Sequence, residues 1–159
     1  MIDTSEFRRV LGHFTTGVSI VTTLRENGQP CGLTVNAFAS VSLEPTLVMV
    51  CVEKASDSHG CIQATAAYAV NVLEETKGEA LSRRFATWGV DDKFKGVAYH
   101  EAASGSPVLE AALAWVDCRV ADSIGVGDHT IFIGEVLEAD AREGKPLVYY
   151  RGGYGRFEP

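Results

Sequence analysis

Residues 123–140 read SIGVGDHTIFIGEVLEAD. Asp128 and His129 stand side by side there, between a glycine-containing turn and an apolar alternation with a period of two. An imidazole titrates near neutrality, so His129 can donate a hydrogen bond or lend positive charge to a reacting ligand. Asp128 can fix its orientation. A histidine beside a turn can equally be a structural residue, and this pattern fits both roles.

Three more stretches carry chemistry. GLTVNAFASVS, residues 32–42, presents Thr34, Asn36, Ser40 and Ser42 as one polar face. Such a face is either the wet side of an antiparallel sheet or a row of donors and acceptors for a flat polar ligand such as a flavin ring. EKASDSH, residues 53–59, places Lys54 before a helix start containing Ser56 and Ser58. Free amides and the helix dipole suit a phosphate at such a place, although the same spacing describes an ordinary N-cap. Asp57 opposes an anion there unless its carboxylate points away. The tail YYRGGYGRF offers Tyr154 and Arg156 to a cofactor or to a subunit interface.

Other chemistries lack support. No GxGxxG follows the first strand, and GxxxxGK[ST], HExxH and GxSxG are absent. The cysteines Cys31, Cys51, Cys61 and Cys118 form no CxxC pair and have no histidine at zinc-finger spacing, so no metal site is expected. Cys51 and Cys118 fall in apolar runs that suit buried free thiols, and the expectation is a reduced, cytoplasmic protein. A net charge of −7 argues against nucleic-acid binding. No apolar run approaches the ~20 residues of a membrane span, and the N-terminus lacks the pattern of a signal peptide. The 159 residues fit one domain, 1–159.

The elements that must position these residues follow from periodicity. Residues 3–13 read as a helix capped by Thr4 or Ser5, with Phe7, Val10 and Leu11 on one face. Residues 17–24 read as a strand, RENGQP as a hairpin turn, and CGLTVNAFASVSL as one half-buried strand ended by Pro45. TLVMVCV, 46–52, reads as a fully buried strand. A short helix follows Ser56, then a strand over 67–74 and a helix over 77–87. Trp88 to Pro107 reads as a loop. Two long strands meet at GVGD, and the chain closes with a short strand and a Gly-rich tail. Strands without regular helical alternation disfavour a doubly wound parallel sheet and favour an antiparallel barrel with helices outside.

Taken together, FRRVLGHFTTGVSIVTT, GLTVNAFASVSLEPTLVMVCV, YAVNVL, SRRFA, GDHTIFIGEV and PLVYYRGGYGRF resemble the flavin reductase-like family across nearly the whole chain. The resemblance implies a mainly β fold, an antiparallel Greek-key FMN-binding split β-barrel with a few flanking helices. It implies a homodimer with FMN or FAD near the subunit interface. It places the flavin ring against Thr34, Val35, Asn36, Ala37 and Ser40, and the phosphate near Lys54, Ser56 and Ser58 with His59 close by. Arg84 and Phe85 would border the cofactor. His129, with Asp128, Tyr154 and Arg156, would meet a nicotinamide. The implied reaction is hydride transfer from NADH or NADPH to flavin, which then passes by diffusion to a separate monooxygenase. Such a transfer needs no nucleophile or carboxylate pair, in keeping with their absence. Asp57 departs from the family pattern and bears on flavin affinity. A tight FMN-binding electron carrier is the alternative; a pyridoxamine phosphate oxidase-like enzyme fits the motif pair less well.

Overall fold

The computed structural model describes residues 1–90 and 92–158. In chain order the strands are β1 (Thr16–Gly17), β2 (Ser19–Leu24), β3 (Pro30–Val35), β4 (Phe38–Leu43), β5 (Thr46–Glu53), β6 (Ala67–Leu73), β7 (Tyr99–Glu101), β8 (Pro107–Leu109), β9 (Ala112–Val126), β10 (His129–Ala141), β11 (Leu147–Tyr150) and β12 (Gly153–Arg156). The helices are α1 (Thr4–Leu11), α2 (Asp57–Thr65) and α3 (Gly78–Ala86). Seven strands form one antiparallel sheet in the order β3-β2-β6-β9-β10-β5-β4, beside a three-stranded sheet β1-β11-β12 and the β7-β8 pair.

The main sheet curls. Val35 from β3 and Val50 from β5, far apart in strand order, enter one core with Val21, Ile62, Tyr68 and Phe132. The two edge strands, β3 and β4, are consecutive in the chain and joined by Asn36 and Ala37. Among the described residues no ladder pairs β3 with β4. A second core lies on the other face, built from Val18, Ile20, Leu73, Phe85, Phe94 and Leu109. Strand β2 feeds both: Ile20 points to the second core and Val21 to the first, as a period of two requires.

The structure corrects several readings. The α1 cap is Asp3, whose carboxylate accepts the Ser5 N–H at 2.8 Å, not Thr4 or Ser5. The single strand expected over 31–43 breaks at Asn36 because the chain turns a sheet corner there. Strand β5 is not fully buried: Val48, Val50 and Val52 enter the core, whereas Leu47, Met49 and Cys51 are only half-buried. Cys51 is therefore not a core thiol. The segment 88–107 contains β7, and its last residue begins β8, both too short for a periodic signal. The tail is a hairpin, β11 to β12, turning through Arg151 and Gly152 with φ of 49° and 82°.

Candidate functional site

Strand β5 ends, α2 begins and β10 begins in one place, and the sheet register brings them together. Glu53 lies opposite His129 across the β5-β10 ladder. The Lys54 N–H donates to the Asp128 carbonyl at 2.9 Å, and its ammonium donates to the Gly127 carbonyl at 2.7 Å. The Lys54 side chain passes over Gly125, where an added Cβ would meet its Nζ at 3.6 Å, an ordinary van der Waals contact. Ser56 caps α2 as expected: its hydroxyl accepts the His59 N–H at 3.3 Å. His59 is buried against Phe132, and its Nε2 lies 2.8 Å from the Thr130 hydroxyl. Burial, followed by the Lys54 charge, pushes the His59 pKa below its ordinary value, so this ring is held neutral.

His129 and Asp128 meet at this junction. Their Nδ1 and Oδ1 atoms are 2.7 Å apart. With Nδ1–H donating to the carboxylate, Nε2 is left for a ligand. The hydrogen bond and then the charge of His129 hold the Asp128 carboxyl below the usual carboxylate range. Both side chains are solvent-facing, His129 the less so.

A cleft of about 1070 Å³ lies along β3; Glu53, Ser56 and Ser58 of this junction line it, whereas Lys54, Asp128 and His129 do not. Its walls include Pro30 to Thr34, Ser56 and Ser58, and the aromatic rings of Phe85 and Trp88. As an edge strand, β3 keeps the backbone donors and acceptors on its outer side free of any ladder. The α2 N-terminus contributes free amides at the same cleft. A planar ligand with hydrogen-bonding edges and a phosphate tail fits these donors, and the volume matches sites for molecules of that size.

The expected residues divide among different places. Thr34, Ser56, Ser58 and Phe85 line the cleft. The Thr34 hydroxyl is already donated to the Ser82 carbonyl at 2.7 Å. Val35 is buried in the first core, so only its backbone can face a ligand. Asn36 and Ser40 are exposed, and the Ala37 carbonyl accepts the Cys51 N–H at 3.1 Å. Lys54 and His59 are not among the cleft's lining residues; they bond instead to Gly127 and Thr130 at the β10 end of the junction. The Arg84 guanidinium donates to the carbonyls of Lys95 and Asp92, at 2.6 and 3.3 Å, and so fastens the cleft's outer segment. Tyr154 lies on α3, its hydroxyl 2.8 Å from that of Ser82 and its ring under Arg83. Arg156 is exposed at the end of β12. No hydrogen bond, ion pair or ring contact among the described residues joins Tyr154 or Arg156 to Asp128 or His129. Asp57 turns toward Arg25, 3.9 Å away. Trp88, Lys93 and Arg25 also line the cleft, and the sequence reading missed them; an isolated tryptophan beside a glycine was the available signal.

Residues 11–158 match the family described as the flavin reductase-like domain. The chain is 43% identical to the reductase component of a 4-nitrophenol 4-monooxygenase/4-nitrocatechol 2-monooxygenase from Rhodococcus opacus, covering 99% of this chain and 83% of that one. It is 42% identical to an FMN reductase (NADH) from Agrobacterium fabrum, covering 95% and 84%. A solved Streptomyces globisporus NADH:FAD oxidoreductase, in complex with NAD and FAD fragments, superposes with a TM-score of 0.91 at 38% identity, covering 99% and 94%.

Proposed function

Because this chain belongs to the flavin reductase-like family, we propose that its cleft binds FMN or FAD and that NADH is the hydride donor, which makes the protein an NADH:flavin oxidoreductase. The observation that carries this reading is the junction of β5, α2 and β10: Glu53, Ser56 and Ser58 line the cleft at the α2 N-terminus, and His129 pairs with Glu53 across the ladder. Relatives named for FMN with NADH, and for NADH with FAD, support the cofactor pair. Bound flavin supplies the two-electron chemistry, accepting a hydride from the nicotinamide.

The chain's own residues bind and orient. Ser56, Ser58 and the α2 amides hold the phosphate, with the Lys54 ammonium, two of its N–H donors still free, lending charge from the flank. The outer edge of β3 from Thr34, continuing through Asn36 and Ala37 toward Ser40, holds the ring by backbone and amide donors; Val35 contributes only its backbone. Phe85 backs the ring from the second core, and Arg84 keeps the outer segment in place. His129, oriented by Asp128, positions the nicotinamide so that the reacting atoms approach to ~3–3.5 Å.

We read the curled sheet as a split barrel, 1–159 as one domain, and the working form as a homodimer. Among the described residues no contact joins Tyr154 or Arg156 to His129 within one chain, and in a homodimer a second copy would bring them to one pocket. The half-buried outer side of β5 and the exposed α1 face of Phe7, Val10 and Leu11 offer apolar surface for that contact. Reduced flavin then passes to a separate monooxygenase, as expected for a relative of reductase components. Among the described residues no helix is long and apolar enough to cross a membrane; a cytoplasmic setting follows from the reading of the cysteines as free thiols.

The test is anaerobic oxidation of NADH and of NADPH by purified protein, with FMN, FAD or no flavin added. Rapid bleaching of flavin with NADH is the expected result. Bound flavin that neither nucleotide reduces would overturn the reading and make the protein a flavin carrier.

A further inference from the structure

Two sulfurs lie side by side where the proposed reaction has no use for them. Cys31 is on β3 and Cys61 is in the middle of α2, yet their Sγ atoms are 3.1 Å apart. A disulfide needs ~2.05 Å, so a closing movement of about 1 Å separates contact from bond. Both side chains are nearly buried, at 4% and 9% exposure. Each still borders a hollow: Cys31 lines the main cleft, and Cys61 lines a smaller one beside Arg25 and Asp57. The Ser58 hydroxyl lies 3.3 Å from the Cys31 sulfur. Cys118, by contrast, is sealed in the first core.

We propose that Cys31 and Cys61 are a peroxide-responsive dithiol that closes to an intramolecular disulfide tying β3 to α2 beside the cleft. Burial and the neighbouring Cys31 push the Cys61 thiol up to about 12, so Cys61 stays protonated at neutral pH. Cys31, on the cleft, then meets the oxidant. Its thiolate attacks one peroxide oxygen, the O–O bond breaks, and Cys31 sulfenic acid and hydroxide result. The Cys61 sulfur attacks the sulfenic sulfur; the S–O bond breaks and water leaves with the Cys61 proton. In sum, two thiols and one hydrogen peroxide give one disulfide and two waters. Reduced flavin reacting with dioxygen yields peroxide at this cleft, and in that one respect the proposal rests on the flavin reductase reading.

The experiment uses the full chain, reduced, freed of reductant and treated with hydrogen peroxide without flavin or nicotinamide. Intact mass should fall by two hydrogen atoms, a peptide map should join Cys31 to Cys61, and dithiothreitol should reverse both. The oxidised chain should melt several degrees higher, because the bond constrains the unfolded state. C61S should accumulate a Cys31 sulfenic acid trapped by dimedone, while C51S should still form the link. No mass change, a link through Cys51 or Cys118, or only irreversible over-oxidation would overturn the dithiol. A second arm runs NADH and FMN in air, with and without catalase. A disulfide that forms only without catalase supports the link to turnover. If added peroxide closes the bond and turnover does not, the reductase is excluded as the oxidant's source.

Discussion

His129 is placed by its neighbours rather than by burial. Asp128 occupies Nδ1, and the ladder to Glu53 fixes the backbone. Its expected role is to position the nicotinamide, so His129→Ala should slow flavin reduction by NADH on the order of 10- to 100-fold, the effect of losing one hydrogen bond to a charged or developing-charge group. Flavin affinity should stay within about twofold, since the phosphate and ring contacts lie elsewhere. Stopped-flow bleaching and flavin titration separate the two; lost flavin binding with unchanged reduction per bound flavin would reject the assignment. His59 makes a different prediction. Its folded-state pKa lies below the ordinary 6.5 because burial disfavours the charged ring. The unfolded chain therefore binds more protons as the pH drops. The stability of this site is fully present above pH 6.5 and declines below it until the folded-state pKa is passed. Melting temperature should fall between about pH 7.5 and 5.5, and His59→Asn, which keeps a polar partner for Thr130, should flatten part of that fall.

At the scale of elements, the site depends on close approach between strands. Gly134 of β10 faces Tyr68 and Cys118; a Cβ there would collide with the Tyr68 hydroxyl and come within 2.7 Å of the Cys118 Cβ. The register of β10 against β9 shifts at this residue, while its ladder to β5 runs unbroken from His129 opposite Glu53 to Glu135 opposite Leu47. Gly134→Ala should destabilise the fold by about 1–3 kcal/mol, the usual cost of overpacking. For this chain length that is a melting shift of roughly 2–4 °C per kcal/mol. A calorimetric scan showing no loss would mean that the sheet yields without strain. The Ser56 cap was legible in sequence because capping is a local preference of four residues. The break between β3 and β4 was not, because the alternation of apolar residues continues unchanged through Asn36 and Ala37 while the chain turns a corner.

For the whole molecule, the decisive question is what covers the outer side of β5 and the apolar face of α1. Sedimentation equilibrium at micromolar concentration should return twice the chain mass of 17.1 kDa. A monomer would overturn the homodimer reading and with it the shared pocket for Tyr154, Arg156 and His129. The acidic surface, with 21 acidic and 14 basic residues, suits a protein that releases its product rather than one that grips a polyanion.

The amino-acid sequence by itself determined the three helices, the longer strands, the α2 cap, the RENGQP turn and the adjacency of Asp128 and His129. These are set by neighbours in the chain, through side-chain period, caps and positive-φ turns. Only the tertiary structure decided that β5 has one half-covered face, that Val35 belongs to the core, that Arg84 holds a loop, and that Cys31 and Cys61 touch. Each of these depends on which strands meet when the sheet curls, and that is fixed by packing between residues distant in sequence.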